Sequence, residues 1–263
     1  MKKILLIFSL LLITGCSNKD SVNWFVGDLP AASSMANNKI IMLDFYTDWW
    51  YACNLLDANT FSNQNVAQKL NENFINLKVN AETAYGKQLF SDFSGTGYPL
   101  ILFLDSDKNE IDRFYGYYDA DKFSSKLDEI LKGENIFPNL LKRYEMGDNS
   151  AETMSMLAKK YGDRGQDSIA VSLYKLVIDS KDVSLDMFHE AKYFINTKLL
   201  WGGKIEYMEG YLKKYPGSPY IKDGVYQVLA YFKNNNDIEK ELLYFDNYLN
   251  KFSDDPWFLN QYA

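Results

Sequence analysis

The chain is poor in the residues from which many sites are built. Its 263 residues include 2 cysteines, 1 histidine and 6 prolines. Two thiols and one imidazole fall short of the four ligands of a structural zinc centre, so no metal is expected. Lys and Arg number 28 against 35 Asp and Glu, giving a net charge of −7 and a pI near 4.9. A cationic footprint is therefore missing, and nucleic acid is not expected as a partner. No adjacent acidic pair follows a strand in the manner of a glycosidase or metal site. Gly95-Thr96-Gly97 is not followed by Lys-Ser/Thr or by a helix start, so it is no nucleotide loop. No cofactor follows from any pattern. After residue 13 no apolar run reaches transmembrane length. What remains is 47% hydrophobic and 24% charged, with 20 Tyr. Such a chain buries a core without disulfides and makes one large or two small domains.

The N-terminus accounts for one of the two thiols. Met1-Lys2-Lys3 precedes an apolar stretch from Ile4 to Ile13, broken only by Ser9, and Thr14-Gly15-Cys16 ends it. A charged start and a short apolar run read as a signal peptide. With Gly15 and Cys16 the stretch resembles the lipobox of bacterial lipoproteins. That resemblance implies cleavage after residue 15 and a lipid thioether on Cys16, whose acyl chains hold the chain at a membrane. An ordinary signal peptide with a chance cysteine is the alternative. Ser17 follows where Asp is absent, which resembles the default for sorting to the outer membrane; the face of that membrane is left open. Loss of Lys2 and Lys3 leaves 26 basic against 35 acidic side chains, a charge of −9. Residues 16–23 read as a polar tether.

Two patterns divide the rest. In 24–133, strand-like and helix-like segments alternate. Lys39–Tyr46 is an unbroken apolar run, as in a strand covered on both faces. Phe74–Val79 and Pro99–Leu104 read as further strands. The polar cluster 105–109 turns into a return strand, Glu110–Phe114. Helical patterns occupy Asn65–Asn73, Thr83–Phe93 and Ala120–Lys132. The sum is an α/β layer fold. In 134–263 strand patterns vanish and a 37-residue repeat emerges: Tyr174, Tyr211 and Tyr248 recur in register, as do Phe188, Val225 and Tyr262, Phe194 and Tyr231, Tyr207 and Tyr244, and Met208 and Phe245. Each unit reads as a helical hairpin whose second helix stops at a Gly, Pro or Asp cluster. Tyr215-Pro216-Gly217-Ser218-Pro219 resembles the link between tetratricopeptide units, although 37 exceeds the usual 34 and the family's Trp-Leu-Gly-Tyr consensus is missing. An all-α, tetratricopeptide-like array is expected, its hairpins stacked to bury a shared core.

The chemistry concentrates at 43–53. Leu43-Asp44-Phe45-Tyr46-Thr47-Asp48-Trp49-Trp50-Tyr51-Ala52-Cys53 resembles the thioredoxin family, in which a buried strand carries an Asp, then a Trp, then Cys-x-x-Cys opening a helix. Asn59-Thr60-Phe61-Ser62-Asn63 and Val66 resemble in particular the C-terminal thioredoxin-like domain of thiol:disulfide interchange proteins. Gly97-Tyr98-Pro99-Leu100 resembles the family's cis-proline loop. The matches span about 110 residues, Trp24 to Lys132. One departure is decisive for the chemistry: the attacking cysteine falls on Trp50, and only the resolving position, Cys53, keeps a thiol. Exchange through a dithiol needs both. With Cys16 lipidated, Cys53 has no partner in the chain.

Two readings stay open at each candidate. Cys53 is a buried apolar filler, or a lone thiol that forms mixed disulfides or is oxidised. Asp44, which the resemblance makes a carboxylate assisting proton transfer from the resolving thiol, is otherwise a packing position. Pro99 sets a turn or presents backbone to an extended peptide. Trp49 and Trp50 form a contact patch or pack at a rim. His189, the lone histidine, sits in the helical part and is not expected to meet Cys53. The leading expectation is a lipid-anchored bacterial envelope protein, not an enzyme, that binds a protein or peptide through both modules. The alternative is a thiol-disulfide oxidoreductase acting through Cys53 with a partner's thiol.

Overall fold

In a computed structural model, residues 21–255 and 258–259 are described. The signal segment 1–15, the lipidation site Cys16, most of the 16–23 tether and the repeat position Tyr262 lie outside them. Among the described residues no helix is long and apolar enough to cross a membrane. Chain contacts define two compact units. One holds the described residues up to 93 together with 97–132; the other holds 94–96 and the described residues from 133 onward.

The first unit is a four-stranded mixed sheet between helices. Its strands are β1 (Ile40–Tyr46), β2 (Phe74–Asn80), β3 (Leu100–Leu104) and β4 (Glu110–Tyr115), in the order β2-β1-β3-β4. β1 pairs parallel with β2 and antiparallel with β3; β3 pairs antiparallel with β4. The four expected strands are all present, within two residues at each end. The cause is burial. Ile41–Phe45 are buried without a break, and each large apolar side chain so enclosed contributes about 1.5–3 kcal/mol.

Five helices cover the sheet. Helices α3 (Gln64–Asn73), α4 (Ala84–Asp92) and α5 (Ala120–Lys132) fall where the periodicity places them. α1 (Leu29–Met35) gave no such signal. It starts from an Asp28 side chain that accepts the Ala31 N–H at 2.9 Å, and it buries only Leu29 and Ala32. α2 (Tyr51–Leu55) runs without interruption into a π-helix, Leu56–Phe61. On one sheet face, α1 and α4 close over Ile41, Leu43, Phe45, Leu77 and Leu102. The other face carries an edge-to-face aromatic cluster, with the Phe123 ring centroid 5.5 Å from that of Phe61 and 5.6 Å from that of Phe114. α4 lies close against the end of β2: a Cβ on Gly86 would meet the Asn80 carbonyl oxygen at 2.0 Å, so only glycine fits there.

The second unit is all helical among its described residues: α6 (Phe137–Glu145), α7 (Ala151–Gly162), α8 (Asp167–Asp179), α9 (Leu185–Trp201), α10 (Ile205–Lys214), α11 (Ile221–Asn234) and α12 (Ile238–Leu249). α7–α8, α9–α10 and α11–α12 are hairpins closed by three- or four-residue turns. The three turns share one device. Gly165, Gly203 and Asn236 take positive φ, and the next residue's N–H returns to the last helical turn: Gln166 to Tyr161, Lys204 to Leu199, Asp237 to Phe232, at 2.9–3.0 Å. This left-handed cap satisfies the carbonyls that a helix end leaves open. α9 serves two cores at once. Ala191 packs with Leu157, Tyr174 and Val177, while Leu200 packs with Met208, Leu229 and Phe245. The hairpins thus share apolar surface that no single one buries.

Candidate functional site

The site residues read from the sequence fall at the C-terminal end of β1, the start of α2 and the turn before β3. The chain leaves the buried β1 at Tyr46, turns through Thr47 and Asp48, and enters α2 with Trp50 at its N-cap. Trp50 has no side-chain acceptor to offer the first helical N–H groups. Its indole points outward, 43% exposed, beside Trp49 and Tyr51, both more exposed still. The two indoles meet edge to face, centroids 5.5 Å apart and planes at 83°. Trp49 Nε1 donates to Glu82 Oε1 at 2.9 Å, which fixes one ring of the pair.

Cys53 lies one turn further along, its N–H bonded to the Trp50 carbonyl at 3.0 Å. It is a free thiol, only 2% exposed. Burial is the main cause that pushes the thiol up to about 11; the Thr47 backbone N–H on its sulfur opposes the rise, and the Asp44 charge adds to it. A thiolate is what attacks disulfides, so this environment suppresses attack.

Asp44 is buried in the middle of β1, and burial lifts its carboxyl to about 7, with Lys78 opposing and Asp57 reinforcing. Lys78 faces it in the parallel register of β1 with β2, its Nζ 3.8 Å from Asp44 Oδ2. Asp57, carried on the π-helix, also pairs with Lys78. The ammonium is ringed by aromatics, 4.7 Å from the Tyr46 centroid and 5.2 Å from that of Trp24, a favourable placement over ring faces. Asp44 Oδ1 and Thr47 Oγ1 are buried with no hydrogen-bond partner among the described residues. The sequence reading missed Lys78 and Asp57. Lys78 had a signal, the one charged residue of its strand. Asp57 had none, because a π-turn sets its direction.

The Tyr98–Pro99 peptide is cis, and Pro99 accepts the Gly116 N–H at 3.0 Å through its carbonyl. Pro99 therefore tethers the β3–β4 ladder as well as shaping the turn. His189 lies in the other unit, buried on α9, with Nδ1 3.3 Å from the Tyr211 hydroxyl. No group of three or more His, Cys, Asp and Glu is placed to hold a metal among the described residues.

A match to a known family falls on the first unit. The family described as "Thioredoxin-like domain" matches residues 31–131. The thiol:disulfide interchange protein DsbD of Photorhabdus laumondii is 34% identical over 113 residues, 42% of this chain and 19% of that protein. DsbD of Haemophilus influenzae is 39% identical over 98 residues, 36% of this chain and 17% of its own length. The chain thus spans less than a fifth of those relatives. The crystal structure of the reduced C-terminal domain of Neisseria meningitidis DsbD is 27% identical, covering 38% of this chain and 88% of that domain, with a TM-score of 0.33. Residues 31–131 are a thioredoxin-like domain resembling the C-terminal thioredoxin domain of DsbD, followed here by an all-helical region.

Proposed function

We propose that this chain is a lipid-anchored envelope protein in which a redox-inert thioredoxin-like domain and a tetratricopeptide-like helical array together form a binding scaffold. The observation that carries the reading is the pairing of Trp50 with Cys53. An exposed indole stands where the resemblance puts the attacking thiol, and the remaining thiol is enclosed and held protonated. With a value near 11, to which the Asp44 charge already contributes, about one thiol in 10⁴ is ionised at pH 7. The Trp49–Trp50–Tyr51 surface supplies aromatic contact area of the kind enriched in interfaces. The lipobox-like Cys16 supplies the anchor and, with Ser17, favours the outer membrane.

Thiol labelling tests this directly. In native protein at pH 8, Cys53 should react at least about a hundredfold more slowly than in denaturant, since both access and thiolate fraction are low. Insulin reduction by the full chain should stay at background. Fast native labelling together with insulin turnover would establish the other reading, an oxidoreductase that works through Cys53 and a partner's thiol.

A further inference from the structure

A lipid on Cys16 ties the chain to a bilayer through a short tether, and the first unit holds the other end of that tether in place. Asn71 grips it with both arms of its amide. Its Oδ1 accepts the Asn23 N–H at 2.7 Å, and its Nδ2 donates to the Ser21 carbonyl at 2.9 Å. Val22, between them, is buried. Trp24 then bridges Asn76 in the parallel sense, beside β2. Ser21 therefore lies level with the start of β2 and not with its end. Cys16 and Ser21 are five residues apart, a span of at most about 17 Å. β1 and β2 run parallel for seven residues each, about 20 Å. The corner with Cys53 and the exposed indoles lies beyond their far end, so the tether is too short to carry Cys16 from Ser21 past that corner.

The near end of the sheet carries different side chains from the corner. β1 starts there at Ile40, preceded by Lys39 and by Met35 at the end of α1. Leu104 pairs with Ile41, so the turn 105–109 between β3 and β4 sits at the same end. Ser33 Oγ on α1 donates to the Ser106 carbonyl at 2.6 Å and joins the two. Met35 is 61% exposed. Lys39 and Lys108 are exposed and form no ion pair among the described residues. Lys39 Nζ donates to the Glu72 carbonyl at 3.0 Å, which brings the end of α3 to this end as well. The exposed side chains of Glu72 and Asp107 share it, so both signs of charge are present. The exposed charges beside the indoles, Asp48, Asp57 and Glu82, are carboxylates, and the Lys78 ammonium beneath them is already paired.

We propose that this near end of the first unit rests on the phospholipid headgroup layer, with Met35 at the lipid surface and the Lys39 and Lys108 ammonium groups on lipid phosphates, so that the corner points away from the membrane. The tether brings this end, and not the corner, to the bilayer. A layer containing phosphatidylethanolamine offers phosphate and ammonium groups, and this end carries complements to both. An anionic leaflet attracts cations held close to its surface and repels the carboxylates of the corner. The proposal rests on the reading of Cys16 as the anchor. It adds which face meets the lipid and leaves the aromatic corner to a partner that approaches from the side away from that membrane.

The test is quenching of a fluorophore on the full, acylated chain by a phospholipid with a spin label on its headgroup, in vesicles of phosphatidylethanolamine and phosphatidylglycerol. The fluorophore is attached through Met35→Cys, Lys108→Cys or Tyr51→Cys, one at a time. All three positions are exposed, and the parent chain carried through the same labelling gives the blank for Cys53. Probes at 35 and 108 should be quenched, and quenching should be lost at 51. With the probe at 35, Lys39→Gln and Lys108→Gln should each lower the ratio of docked to undocked chains about fivefold, the worth of one lysine near an anionic surface. Quenching at 51 equal to that at 35, quenching at none of the three, or a ratio that ignores both lysine changes would each overturn the assignment. Mass spectrometry of the same preparation keeps the two readings apart. An acylated Cys16 with a quenched corner removes the orientation alone, whereas a Cys16 without acyl chains removes the anchor and the orientation with it.

Discussion

The corner around Cys53 and the groove along α9 are opposites in the way they hold polar groups. At the corner a thiol and a carboxylate are buried, and burial pushes both toward their neutral forms. Along α9, Lys192, Asn196 and Tyr207 border two open cavities instead. The corner has the motif and the resemblance; the groove has neither. The buried polar atoms without a partner, Asp44 Oδ1 and Thr47 Oγ1, lie at the corner that carries the motif.

The substitution with the largest expected effect breaks this contrast at the corner. Trp50→Cys restores the two-thiol spacing on a backbone that still resembles the active family. A thiol at an exposed helix start titrates near neutrality, so the thiolate available at pH 7 rises by about 10³ over that of Cys53 alone. Insulin reduction should climb from background to a readily measured rate. Continued inertness would mean that the corner differs from the family in more than one side chain.

Asp44→Asn comes next. In the folded chain the carboxyl sits near 7; unfolded, it returns to its ordinary value of 3.8. The folded state thus holds its proton more tightly, and stability falls as pH rises from about 4 through 7, then levels off. The upper limit of that loss is on the order of 4 kcal/mol. Asp44→Asn should abolish this slope, leaving the variant more stable than the parent at pH 8 and close to it at pH 4. Denaturant unfolding at the two pH values checks it, and a parent chain equally stable at both would sink the idea that burial controls Asp44.

How much of this was legible in the sequence follows the range of the forces involved. β1 and β3 were legible because burial on both faces makes their residues apolar, Asp44 alone excepted. α3, α4 and α5 showed helical spacing. α1 did not, since Leu29-Pro30-Ala31-Ala32-Ser33-Ser34-Met35 buries only Leu29 and Ala32. The 37-residue spacing of Tyr174 and Tyr211 marked two buried positions, but the left-handed caps at Gly165, Gly203 and Asn236 mark the hairpins better, and a mixed Gly/Asn set hides them from a residue-for-residue repeat. Asp44, Cys53 and Pro99 were found through a motif. Lys78 and Asp57 were not, because a parallel register and a π-turn bring them there. The groove was least legible of all: Lys175, Lys192 and Lys214 lie on three helices, and only packing makes them neighbours.

The smallest effect is expected at the exposed indoles, and it sharpens the contrast from the side of stability. Trp49→Ala removes the bond from Nε1 to Glu82 and the edge contact with Trp50. Both are solvent-exposed, so the loss should stay within about 1 kcal/mol. A buried aromatic truncated to Ala costs about 3–5 kcal/mol instead. A thermal melt near that of the parent would place Trp49 among surface groups kept for contact. A drop of several kcal/mol would make the indole pair part of the core that holds α2 against β2, and the aromatic surface would lose its standing as a binding face.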